Sequence, residues 1–139
     1  MRSTILGAGL VGLGLLFAGT TLSAHHAFSS EFDANRHVVF TGTVTKMMWV
    51  NPHAWIYVDV KKADGTTEEW MVEAGTPNTL LRRGFTKASL QAGTMIKVDG
   101  YQSKDGSLRA NGRDLTLPDG RTLFLGNADG AGGAEGTPK

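Results

Sequence analysis

The chain has 139 residues, 14 Lys and Arg against 13 Asp and Glu, a formal net charge of +1 and no cysteine. That length suits one domain, and the balanced charge argues against binding driven by bulk attraction to nucleic acid. The missing thiols exclude a disulfide scaffold, thiolate zinc sites and cysteine nucleophiles.

Residues 1–24 read as a cleavable export signal: Arg2 supplies a positive start, residues 5–18 are apolar or glycine, and small and polar residues lead to Ala24. The apolar run is short for a membrane span, so no stable span is expected after cleavage, and the mature chain is placed in the periplasm or outside the cell. A retained anchor is the alternative. Cleavage after Ser23 competes with cleavage after Ala24. Five of the 19 glycines lie in this segment and five more in residues 126–139, which leaves an ordinary share for the part between.

Residues 25–37 form a polar N-terminal arm with two phenylalanines, Phe28 and Phe32. Residues 38–125 are expected to make the barrel domain. Val38 to Val50 is rich in β-branched and aromatic residues and reads as a long strand, with Gly42 marking a bulge or bend. Asn51-Pro52 ends it. Trp55 to Lys61 alternates, with Ile56, Val58 and Val60 on one face and Trp55, Tyr57 and Asp59 on the other. Asp64-Gly65 marks a hairpin turn, and Thr67 to Glu73 alternates again. A short helix follows, with Thr76 as cap, Pro77 in the first turn, Leu80 and Leu81 as an apolar stripe and Gly84 as a left-handed stop.

Thr94 to Gln102, Leu108 to Leu117 and Arg121 to Leu125 supply the remaining strands, separated at Asp105-Gly106 and Asp119-Gly120. The whole reads as all-β. Three strands, one helix, then further strands is the order of a small OB-like Greek-key β-barrel of five to six strands, with a β-sandwich as the alternative. Residues 126–139 hold no large apolar side chain and are expected to be a disordered Gly-rich tail.

Four histidines occur, His25, His26, His37 and His53. Cleavage after Ala24 would give His25 a free α-amine beside its imidazole, a pair of nitrogens able to chelate one ion. His26 and His53 are the further candidate ligands, and Glu31 and Asp33 are available to fill another position. A nitrogen-rich site without thiolates suits Cu(II) first, or another divalent metal. Each histidine also has a plainer reading: the pair as a polar spacer at the signal junction, His53 as a carbonyl cap in the Asn-Pro-His turn, His37 as a surface residue.

Trp49, Asn51, Trp55 and Tyr57 around that turn are a possible ligand or partner surface, or simply packing against Phe28 and Phe32. If those rings pin the arm across the barrel, His25 and His26 approach His53. Glu73 and Arg82 are candidates for a salt bridge holding the helix on the barrel. No phosphate loop, serine-hydrolase elbow or zinc-protease motif is present.

His25-His26-Ala27-Phe28 behind a signal, Phe32-Asp33, Gly42-Thr43-Val44, Trp49-Val50-Asn51-Pro52-His53, Trp70-Met71-Val72-Glu73 and Pro77-Asn78-Thr79-Leu80 with Arg82 and Gly84 together form a pattern. It resembles the exported bacterial proteins catalogued as domain of unknown function 6152, over residues 25–125. That resemblance implies a periplasmic or secreted small β-barrel and brings no established activity. The functional expectation is therefore a binding protein with a histidine metal site. The alternatives are an accessory interaction module of a periplasmic or membrane complex, with structural histidines, and a copper oxidoreductase.

Overall fold

A computed structural model describes residues 28–126. After a helical turn at residues 28–31 the chain forms β1 (Phe32–Met48), β2 (Trp55–Lys61) and β3 (Thr67–Glu73). The helix α1 (Pro77–Arg82) and a 3-10 turn (Lys87–Ser89) follow, then β4 (Met95–Ser103), β5 (Arg109–Thr116) and β6 (Thr122–Phe124). The signal segment, His25 and His26, and the tail beyond Gly126 lie outside the described residues.

The strands run β3-β2-β1-β4-β5-β6 through antiparallel neighbours, and a parallel pairing of β3 with β5 closes the first five into a ring. Met71, Val72 and Glu73 face Arg109, Ala110 and Asn111 across that seam. The fold is all-β, and the order and closure are those of the expected OB-type barrel. The closing seam is the feature that an open two-sheet sandwich lacks.

β1 makes the closure possible by serving two neighbours. Its first part, from Phe32 to Thr43, pairs with β4, and its last part, from Thr43 to Met48, pairs with β2. Gly42 sits at the crossover: a Cβ there would lie 2.5 Å from the Asp59 carbonyl oxygen. Close backbone approach, not a bulge, explains this glycine, since the register shift falls later, between Val44 and Lys46. β1 also starts six residues earlier than its composition predicts. Phe32 is 2% exposed and pairs with Ser103, while Asp33 folds back to accept the Asn35 N–H at 2.9 Å and to meet Arg36. Those polar residues form the irregular stretch before regular pairing resumes at His37, which hid the strand in the sequence.

Of the predicted row, Ile56 and Val58 are buried and Val60 is partly buried against them; Val44, Val72, Ile96, Val98 and Leu115 complete one core. Leu80, Phe85, Leu90 and Leu125 join it from the helix and loops. α1 is capped by Thr76, whose Oγ1 accepts the Thr79 N–H at 3.2 Å, and Pro77 takes the first turn. Gly84 adopts φ 79°, and the Phe85 N–H reaches back to the Leu80 carbonyl at 2.9 Å, ending the helix as its sequence predicts. Of the expected Leu80–Leu81 stripe only Leu80 is buried, because successive helical residues point about 100° apart. Among the described residues no helix is long and apolar enough to cross a membrane.

Candidate functional site

The site is built at the entry to β2. The cis Asn51-Pro52 bond turns the chain, and Ala54 then locks onto the end of β3: its N–H donates to the Gly75 carbonyl at 3.1 Å and its carbonyl accepts from Ala74 at 2.8 Å. Ala54, Ile56 and Val58 are buried inside the barrel, so strand alternation sends His53, Trp55 and Tyr57 to the outer face. His53 Nδ1 lies in hydrogen-bond contact with Glu73 Oε1. Asn111 Nδ2 donates to the second oxygen, Oε2, at 3.2 Å. The Glu73 side chain is 10% exposed and that of His53 28%. A buried carboxylate thus holds an imidazole at the surface. The His53 Nδ1 thus meets a carboxylate from the neighbouring strand.

The outer face continues across the seam. Trp55, Glu73, Asn111 and Tyr101 are register partners on β2, β3, β5 and β4 in turn. The Arg109 guanidinium lies 5.3 Å from the Trp55 ring centroid and 5.9 Å from that of Phe32, and donates to Glu31 Oε2 at 3.0 Å. Phe28 packs edge-on against Tyr101, with centroids 5.9 Å apart, and equally close to Phe32. The β4–β5 hairpin grips the same turn: the Lys104 N–H donates to the Glu31 carbonyl at 2.9 Å, and Lys104 Nζ to the Ser29 carbonyl. The hairpin is itself braced by Asp105, which the Ser103 hydroxyl and the Ser107 amide hold well below the ordinary carboxylate range, at about 2. The start of the described chain is therefore docked on the face that carries His53.

The other predicted residues divide. Trp49 stacks on Phe85 at 6.3 Å and packs against the core, whereas Trp55 faces outward toward Arg109, so the two tryptophans do not form one platform. Tyr57 lies under Lys46 Nζ, 4.2 Å from its ring centroid, and donates to Met48 Sδ. Asn51 is exposed at the turn. The Glu73–Arg82 bridge is corrected: Glu73 takes His53 and Asn111, while Arg82 donates to Thr79 Oγ1 at 3.3 Å on its own helix. Burial of Glu73 on the barrel wall and exposure of Arg82 on α1 send the two charges to different surroundings.

His37 bonds Asp99 at 3.0 Å on the β1–β4 face. Among the described residues no three His, Asp or Glu side chains are grouped to hold a metal ion; His25 and His26 lie outside them. Asn111 and Arg109 were not singled out in the sequence. Only the parallel seam brings Asn111 to Glu73, and no local pattern announces such a pairing.

A family model described as a family of unknown function, DUF6152, matches residues 14–112. The chain belongs to that family. The DUF6152 match takes in His25, His26, His53, Glu73 and Asn111, and stops inside β5, short of β6. No curated protein matches the chain.

Proposed function

We propose that this is an exported binding protein that holds a divalent metal ion, Cu(II) first, with His53 as the fixed ligand and His25 and His26 as ligands brought by the arm. The observation that carries this reading is the joint placement of His53 and the docked turn at residues 28–31. Tyr101, Asn111 and Glu73 stand on three adjacent strands, so two strand spacings, about 10 Å, separate Tyr101, on which Phe28 packs, from Glu73 along the outer face. Three further residues lead from Phe28 to His25, and an extended chain covers about 10 Å in three residues. A stretch of that length is comparable to the two strand spacings between Tyr101 and Glu73. Imidazole and amine nitrogens without thiolates are a donor set that suits Cu(II).

Titration of the mature protein with Cu(II) is expected to show about one equivalent bound with nitrogen-rich electron paramagnetic resonance parameters. The His25→Ala, His53→Ala double variant is expected to lose that binding, and unchanged affinity would refute the assignment. Intact mass of the exported protein checks the terminal chelate, which requires cleavage before His25. The second reading, an accessory module with structural histidines, is favoured by Met48 and Val50, 37% and 41% exposed beside Asn51. Co-purification of a periplasmic partner by a metal-free protein would select it.

A further inference from the structure

We infer that Met48 is a site of reversible oxidation by peroxide, at which the Tyr57 hydroxyl guards one side of the sulfur so that oxygen adds at the other and one sulfoxide epimer is formed. A β-bulge sets the site up. The pairing of β1 with β2 joins Val44 to Val58 and then Lys46 to Tyr57, so Thr45 is the extra residue. Inward positions on β1 are even-numbered before it, Gly42 and Val44 being buried, and odd-numbered after it, Met47 and Trp49 packing against the core. Lys46 and Met48 are thereby turned to the outer face, where both reach Tyr57.

Met48 is 37% exposed, and the Tyr57 hydroxyl donates to its Sδ at 3.5 Å. A thioether sulfur carries lone pairs on both faces of its C–S–C plane, and each leads to a different sulfoxide epimer. The Tyr57 proton is directed at one of them, and Lys46 Nζ, 4.2 Å from the ring centroid, holds that ring from β1. The other lone pair attacks the peroxide. The S–O bond forms as the O–O bond breaks, sulfur loses two electrons, and the peroxide is reduced to water once the proton on the transferred oxygen passes through solvent to the departing hydroxide. Attack on the guarded face must first break the hydrogen bond, which corresponds to about a two- to tenfold preference for the open face. A sulfoxide at Met48 keeps its oxygen in water, whereas the same change at Met47 would set a polar group against the core. The epimer matters because a separate reductase restores each one.

The test is partial oxidation of the mature protein by dilute hydrogen peroxide, with a chelator present to suppress metal-driven oxidation. Digestion and fragment-ion mass spectrometry distinguish Met48 from its neighbour Met47. The two stereospecific methionine sulfoxide reductases, applied to the peptides, then report how much of each epimer formed at each methionine. Wild-type Met48 is expected to carry one epimer in about two- to tenfold excess, while Met47 stays reduced. Met95, 58% exposed, is the internal reference and is expected to give near-equal amounts. Tyr57→Phe, which keeps the ring and removes the hydroxyl, is expected to bring Met48 close to equal amounts.

Near-equal epimers at Met48 in wild type would overturn the inference, as would an excess that persists unchanged in Tyr57→Phe or an equal excess at Met95. Oxidation of Met47 ahead of Met48 would overturn the placement of the two on opposite sides of the strand. If Tyr57→Phe does not fold, the wild-type ratio at Met48 against that at Met95 decides the matter. No arm of the test depends on Cu(II) binding, so the metal reading stands or falls separately.

Discussion

At the residue scale, Glu73 shows what a sequence can and cannot assign. A carboxylate at the end of an alternating strand, just before a helix, stands out, and the nearest basic residue on that helix is Arg82. The partner it takes is nearer in space and farther in kind: an imidazole from the preceding turn and an amide from β5. His53 was legible because Asn-Pro-His interrupts two apolar strands. Asn111 was not, because its role depends on a pairing between strands separated by a helix and a third strand. Burial gives that pairing an energetic consequence. Asn111→Leu removes a hydrogen bond from a carboxylate that is almost fully enclosed, and leaving such a group underpaired costs about 1–3 kcal/mol. Urea unfolding of this variant is expected to show a loss of that size with an unchanged dependence on denaturant concentration.

At the element scale, the β4–β5 hairpin connects the barrel to the arm. Its strands and the Asp105-Gly106 turn were readable from alternation and turn chemistry, but its grip on residues 28–31 was not, since it uses backbone carbonyls and Lys104. Asp105 makes the hairpin sensitive to acid. The Ser103 hydroxyl and Ser107 amide donate to its charged form, taking the folded value from 3.8 to about 2. A depressed carboxylate stabilises the fold above its unfolded value and loses that contribution as the pH falls toward the folded value.

Wild type and Asp105→Asn are therefore expected to differ in urea midpoint at neutral pH, wild type being the more stable. The gap should hold down to about pH 4 and close by about pH 2, following the shift from 3.8 to about 2. A gap constant over that range would show that the Asp105 charge plays no part. The group is fully solvent-facing, so the effect should also shrink in high salt.

At the scale of the whole molecule, the turns and the single helix were enough to give the order of elements, and the order narrows the fold to a small barrel. The seam that closes it was out of reach: nothing in Met71-Val72-Glu73 or Arg109-Ala110-Asn111 states that they run parallel and side by side. The same distinction separates the family match from the folding unit. The match ends at residue 112, yet Leu115 and Leu125, both 0% exposed, lie beyond it. Leu125 also ties the barrel together through its backbone, its carbonyl accepting from Gly75 at 2.7 Å and its N–H donating to Arg113 at 2.8 Å. Each buried leucine is worth about 2–5 kcal/mol against alanine, and domains of this kind are stable by only about 5–15 kcal/mol. A chain ended after Gly112 loses both leucines, the rest of β5 and all of β6, and is expected to be unfolded by circular dichroism and amide exchange. A chain ended after Gly126 keeps every one of these contacts and is expected to match the full chain in urea midpoint. Folding of the shorter chain would show that the matched residues alone hold the barrel closed.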